Sequence, residues 1–329
     1  MSLSTSLLQK IWRPLLAFSL IFVLLKKGPF DLNQLKLIFQ HPSLVLLGLI
    51  LMLTQILLLS ARWRLFISLS AKISFLRVFR LNLVGLFFNY FIPGGVGGDI
   101  VKALELSKDK QLTKSEALST VLSDRIFGLF AMVSFTLLFL SIDYWLTGQE
   151  YILKFLLLSA VLFTGICISL LFFPYIFTRL SLYLSERNTK LINKLEKLVS
   201  SLDFTFRTFR RLKIQLLSFS ISLIGQFMAI YFMYEVTKTV GAAPPSFLVF
   251  FSLCCFSFVA SAIPIFPAGI GVGQAAMYVM FANISPELGT ASITAITALQ
   301  IFNFFYALIG GVFFSFMPKV KIEEASLND

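Results

Sequence analysis

The chain has 329 residues, 57% of them hydrophobic and 13% charged, with a mean hydropathy of +0.87. Soluble domains run at about 45–50% apolar and about 25% charged, so one water-facing core cannot hide this excess and lipid must be the solvent for much of the chain. That excludes a soluble enzyme, a disordered tail and a secreted disulfide scaffold; the formal charge of +12 sits at the ends of apolar stretches, where anionic headgroups account for it without nucleic acid.

In chain order, the first apolar run, Leu15 to Leu25, follows Lys10 and Arg13 and is closed by Lys26 and Lys27. No small-residue cleavage site separates them, so it reads as a retained span over 11–25 rather than a signal peptide. Further spans are expected at 43–61, 126–142, 155–177, 214–236 and 290–317, each close to the roughly 20 residues that cross a bilayer. Six crossings put both termini on one side. Residues 62–80 hold Arg62, Arg64, Lys72, Arg77 and Arg80 and no acid, whereas 237–246 holds only Lys238. The positive-inside rule therefore puts both termini in the cytoplasm. Lys26, Lys27 and Lys36 in the first outer loop argue mildly the other way.

Between the fourth and fifth spans, Leu191, Ile192, Leu195, Leu198, Val199 and Leu202 recur at helical spacing among Lys190, Lys194 and Lys197. This pattern predicts an amphipathic helix on the inner leaflet within a connector over 179–213. A solvated connector packing on its neighbours is the alternative. The connector divides the chain into a first membrane half, 1–178, and a second, 214–317, followed by a polar tail, 318–329. The cysteines Cys167, Cys254 and Cys255 fall inside apolar runs, with neither a pairing framework nor metal-ligand spacing.

Two apolar stretches break before they could cross. The first runs from Leu81 to Ile92 and stops at Pro93-Gly94-Gly95-Val96-Gly97-Gly98-Asp99; the second runs from Phe247 to Ile263 and stops at Pro264 and Pro267-Ala268-Gly269-Ile270-Gly271-Val272-Gly273-Gln274. Aligning Pro93 with Pro267 superimposes glycines 95/269 and 97/271, a short internal repeat with one copy per half. With the flanking spans fixed, 81–98 enters and returns from inside, and 247–283 dips in from outside. The expected architecture is thus an all-α polytopic membrane protein: about six full spans and two re-entrant hairpins in two inverted-like halves. Paired Gly/Pro-interrupted segments in corresponding halves point to a transporter's substrate site.

Chemistry at the breaks follows from glycine, whose turns can aim several N–H groups at one point, a concavity that suits phosphate. A helix beginning near Asp99 would add its positive end. Asp99 works against this, since its carboxylate could fill the concavity or satisfy Lys102. Thr113 and Glu116 form a capping box, which starts a helix there and sets Arg125 roughly 18 Å along it. Neither Asp124 nor Arg125 has a countercharge among its helical neighbours, so both need partners from elsewhere. Asp99 or a lipid phosphate could serve Arg125; an interfacial arginine snorkelling to headgroups is the alternative.

At these residues the chain resembles the lysylphosphatidylglycerol synthase transmembrane (flippase-like) family, the membrane half of the bacterial multiple peptide resistance factor, in its stand-alone form. The resemblance rests on Arg62-Trp63-Arg64, Phe88-Asn89-Tyr90-Phe91-Ile92 leading into the first glycine motif, Asp124-Arg125, the second glycine motif through Ala275, and Gly310-Gly311. It spans roughly residues 10–317. It implies a polytopic inner-membrane protein that moves lipids between leaflets, with Asn89, Pro93, Gly95, Gly97, Asp99, Arg125, Pro267, Gly269 and Gly271 carried over as site residues. Many relatives have Glu at the place of Gln274, and many have Arg near Leu299 and Gln300, which implies a different or less anionic headgroup here. Lysyl transfer is not expected, because the chain ends twelve residues after the last span.

The function expected is a lipid translocator acting on a phospholipid or a polyprenyl-phosphate-linked lipid, without cofactor, metal or nucleic acid, and able to form homo-oligomers. Its substrate-binding residues would be Asn89, Pro93, Gly94, Gly95, Gly97, Gly98, Asp99, Lys102, Asp124, Arg125, Pro267, Gly269, Gly271, Gly273 and Gln274. Two alternatives are a membrane-embedded transferase acting on a lipid phosphate and a non-transporting scaffold. The transferase would need a base, a nucleophile or clustered carboxylates, but Asp99, Asp124 and Glu235 are scattered and the lone His41 lies in an outer loop.

Overall fold

A computed structural model of the protein describes residues 32–92, 97–109, 111–185, 211–261 and 269–317. The expected span over 11–25, most of the 179–213 connector and the polar tail lie outside these residues, as do Pro93, Gly94, Gly95 and Pro267. Every described element is a helix: α1 Leu32–Phe39, α2 Pro42–Ile67, α3 Phe75–Phe91, α4 Gly97–Leu106, α5 Lys114–Thr147, α6 Glu150–Ser185, α7 Leu212–Thr239, α8 Phe247–Ser261, α9 Val272–Ala282 and α10 Pro286–Ser315. Five of them, α2, α5, α6, α7 and α10, are long and apolar enough to cross a membrane. They coincide with the five expected spans that fall in the described residues, overrunning four of them, while α10 starts four residues before the span expected at 290–317 and ends two residues short of its end.

Local chemistry sets the boundaries. Pro42 opens α2 at a position where the N–H it lacks would have had no partner within the helix. Ser74 caps α3, and Thr113 and Glu116 form the expected reciprocal box at the start of α5. Gly148 closes α5 in the left-handed conformation (φ 63°), which costs a glycine little. The apolar residues sit on all faces of the long helices, because the inward faces meet protein and the outward ones meet lipid.

Helices α3 and α4 form one hairpin and α8 and α9 a second. Near the open end of the first, Arg77 donates to the Glu105 carbonyl (3.4 Å) and pairs with Asp109 (3.5 Å). In the second, Phe250 packs on Phe281 with ring centroids 4.9 Å apart. The hairpins enter from opposite ends of the bundle. The first begins where α2 finishes, with Arg64 Nε donating to the Ile73 carbonyl at 3.1 Å. The second begins where α5 finishes, with Ser246 Oγ donating to the buried Asp143 carboxylate at 2.6 Å.

Each hairpin leans on a long helix of the other half. Helix α3 runs antiparallel to α10: Arg80 stacks on Phe313, and Tyr90 and Phe304 meet edge-on. Helix α8 runs antiparallel to α5, with Phe251 against Phe139 and Ser246 at Asp143. The first of these seams closes because Gly310 has no side chain. A Cβ there would stand 2.0 Å from the Leu83 carbonyl oxygen, and one on Gly311 would meet the Phe87 ring at 2.7 Å. Small residues allow such backbone contact where lipid provides no hydrophobic drive between helices.

Gly310→Leu is expected to destabilise the fold by about 1–3 kcal/mol or more through overpacking against backbone. Gly165→Ala, at a position with nothing within 4 Å, should change it by less than about 0.5 kcal/mol. Thermal unfolding of both variants in detergent measures the difference.

Candidate functional site

The turn of the first hairpin is bounded by Ile92 and Gly97, and its two arms touch through glycine. A Cβ on Gly98 would lie 1.9 Å from the Gly85 carbonyl oxygen and 2.6 Å from Asn89 Oδ1. Asn89 Oδ1 accepts from the Gly98 N–H at 3.0 Å, satisfying one of the donors that every helix start leaves open. Helix α4 therefore begins two residues before Asp99, as the sequence implies. It carries Asp99 as its third residue.

Asp99 is 5% exposed and is held by two cations. Lys102 Nζ lies 3.3 Å from Oδ1, and Arg125 of α5 pairs with Oδ2. Lys102 also sits 4.7 Å from the centroid of Trp63, so its ammonium is framed by a carboxylate and an indole face. Two cations thus face one carboxylate. The members of this cluster differ in access: the side chains of Asp99 and Lys102 are 7% and 8% exposed, that of Arg125 36%. A ligand reaching this cluster meets the arginine.

Asp124, the neighbouring residue, faces elsewhere. Its carboxylate takes a two-pronged hydrogen bond from Arg62 (Nε to Oδ1 2.8 Å, Nη2 to Oδ2 3.1 Å), and Arg62 Nη2 also reaches the Asp124 carbonyl. Arg62 Nη1 donates to Ser222 Oγ at 2.8 Å, tying α2, α5 and α7 together. Gly128 leaves the room for the guanidinium, since a Cβ there would stand 3.1 Å from both terminal nitrogens. With both side chains at most 10% exposed, this pair joins helices away from the Asp99 cluster.

In the second hairpin, Gly269 (φ 66°) and Gly271 (φ 87°) adopt backbone conformations that L side chains rarely take. A Cβ on Gly269 would also meet the Ser261 carbonyl at 2.8 Å. Gln274 does two things: Oε1 accepts from the Gly271 N–H at 2.7 Å, and Nε2 donates to Gln300 Oε1 at 2.7 Å and to Thr297 Oγ1 at 3.4 Å. Gly273 abuts Ser261 and Ile296.

The two hairpins share a register. Asp99 and Gln274 are each the third residue of the outgoing arm, and their partners Arg125 and Thr297 are each the twelfth residue of the long helix that follows. Gln300 joins the tips, because its backbone carbonyl accepts from Tyr90 Oη at 2.8 Å while its side chain holds Gln274. Of the residues read from sequence, Asn89, Gly97, Gly98, Asp99, Lys102 and Arg125 thus gather at the first tip and Gly269, Gly271, Gly273 and Gln274 at the second; Asp124 belongs to a separate contact. Sequence reasoning did not assign Arg62, Trp63, Tyr90 or Thr297 to these contacts. Half of the signal for Arg62 was in the sequence: Asp124 lacks a countercharge on its own helix, but several cations could have supplied it.

The chain belongs to the lysylphosphatidylglycerol synthase transmembrane-region family, whose sequence pattern matches residues 10–310. It is similar to a UPF0104 membrane protein of Methanocaldococcus jannaschii, with 26% identity over 313 residues covering 84% of this chain and 87% of that one. No solved structure matches it at a significant level.

Removing one member of the Arg62–Asp124 pair leaves a buried, unpaired charge. Arg62→Ala should therefore cost about 3–5 kcal/mol, and the apolar double change Arg62→Met with Asp124→Leu should restore most of it. A double-mutant cycle on unfolding in detergent reads the coupling.

Proposed function

We propose that this member of the lysylphosphatidylglycerol synthase transmembrane-region family is a lipid translocator that moves a phosphate-bearing lipid between leaflets and performs no covalent chemistry on it. The observation that carries the reading is the Asp99–Lys102–Arg125 cluster at the tip of a hairpin that does not cross the bundle. Two cations face one carboxylate there, and charged side chains at membrane depth are kept where they serve a function. A phosphate matches the two cations, because arginine can bind phosphate through a planar fork and Lys102 adds a point charge. Hairpins from opposite ends joined at Gln300 support the second part of the reading. A headgroup could pass from one tip to the other while its acyl or prenyl tails remain in lipid.

Loop charge supports an inner-membrane location with both termini in the cytoplasm. The end that holds Arg64, Lys72, Arg77 and Arg80 is the cytoplasmic one, and the end that holds Asp143, Glu150 and Glu287 faces out. In a cysteine-free background, Lys72→Cys should react with an impermeant maleimide only from the cytoplasmic side and Glu287→Cys only from outside. The reverse pattern would invert the assignment.

Translocation is tested with purified protein in sealed vesicles carrying fluorescent phosphatidylglycerol and an external reductant that bleaches only the outer leaflet. Wild-type protein should expose the inner-leaflet probe. Arg125→Ala should slow exchange by about tenfold or more, as expected for loss of a charge-assisted phosphate contact. Its unfolding temperature should change little, since Asp99 keeps Lys102 as a counter-ion and the lost partner is the more exposed of the two cations. Folded wild-type protein that exchanges no lipid overturns the reading, and turnover of an added lipid-phosphate donor would favour the transferase instead.

A further inference from the structure

We infer that the lipid held between the hairpins has no charge beyond its phosphate, and that Gln274, Thr297 and Gln300 form a subsite for hydroxyl groups on its headgroup. This rests on the reading that the tips hold a lipid headgroup. The argument starts from what the shared register makes comparable. At one tip the third residue of the outgoing arm and the twelfth residue of the next helix are Asp99 and Arg125; at the other they are Gln274 and Thr297. The geometry repeats, but the charge does not. Between Thr239 and Pro318 the chain contains a single charged residue, Glu287, which lies in the first turn of α10 at the far end of that helix from the tips.

Among the described residues of the second hairpin and α10, a headgroup amine would therefore find no carboxylate near the tip and a headgroup carboxylate no cation. Either charge would be left unpaired at membrane depth, which is costly. Hydroxyls fit what is there. Among the described residues the Gln300 amide nitrogen has no acceptor, whereas its oxygen is taken by Gln274. That nitrogen lies 3.7 Å from where a Cβ on Gly273 would stand, so it faces the start of α9, beside Ser261. The Gln300 amide nitrogen offers donors, and the Ser261 oxygen, whose proton goes to the Ser257 carbonyl, offers an acceptor beside it, the complement of a polyol or a sugar.

Gln274→Glu is the informative change. A carboxylate oxygen can still accept from the Gly271 N–H, so the hairpin's cap is kept while a negative charge is placed at the tip. Purified protein in detergent is offered equimolar phosphatidylglycerol, phosphatidylethanolamine and phosphatidylserine, and bound lipid is counted by native mass spectrometry. Wild-type protein should retain the glycerol headgroup about fivefold or more over the other two, the effect of one or two neutral hydrogen bonds. Gln274→Glu should shift retention towards ethanolamine, and Gln300→Leu should erase the preference without abolishing binding. Equal retention of all three lipids by wild type overturns the inference, even if all three are exchanged in vesicles. A glycerol preference without leaflet exchange supports the subsite and overturns translocation. Should Gln274→Glu fail to fold, Gln300→Leu alone decides: an unchanged preference sinks the proposal.

Discussion

Backbone that stops being helical inside hydrocarbon must find partners for its N–H and C=O groups within the protein. The two hairpins meet this constraint in the same way. In each, a side-chain amide oxygen caps an early N–H of the outgoing arm: Asn89 for Gly98 and Gln274 for Gly271. In each, a glycine permits an approach that any Cβ would block, Gly98 against Gly85 and Gly269 against Ser261. The long helices α5 and α10 then act as walls against which the tips are fixed. Without those walls, a broken helix at this depth would have to retreat to the interface.

The adjacent residues Asp124 and Arg125 show how one stretch of wall serves two purposes. Successive positions on a helix point about 100° apart, so the two cannot neutralise each other. Asp124 turns to Arg62 and, through it, to Ser222, which locks three helices with both charges out of water. Such a buried pair is weak evidence for net stability but strong evidence for a fixed geometry, since any shift would strand a charge. Arg125 turns to Asp99, where the side chain remains about a third exposed. Burial thus separates the structural pair from the accessible one, although both use the same chemistry.

The helix plan was legible from the sequence because lipid imposes it. Apolar runs of about 20 residues, the Thr113–Glu116 box and the Pro/Gly interruptions each have one physical meaning in a bilayer. The charges were legible by halves. That Asp124 and Arg125 needed outside partners followed from their apolar helical neighbours, and Asp99 was a candidate for Arg125. That Arg62 takes Asp124 did not follow, because it depends on the rotation of α2 against α5, which packing decides and hydropathy does not encode. Gln300 and Tyr90 were harder still. The tie runs through a backbone carbonyl, which every residue possesses, and so leaves no mark in the sequence. Gly310-Gly311 stood out as a motif, yet its meaning, a backbone contact with α3, appears only once the two halves are packed.

A framework repeated in its backbone need not be repeated in its chemistry, and the hairpins show where the freedom lies. In the first, the capping task and the reach to the following helix are divided between Asn89 and Asp99. In the second, Gln274 performs both, one end of its amide on Gly271 and the other on Gln300 and Thr297. An ionised carboxylate could accept from Gly271 but could not donate to Gln300, which would have to turn its own N–H groups towards it. The consequence reaches the far side of the pair: with its oxygen committed to Gln274, Gln300 turns its amide nitrogen to the start of α9. Division of labour leaves two cations around one carboxylate at the first tip, and its absence leaves a pair of neutral amides at the second.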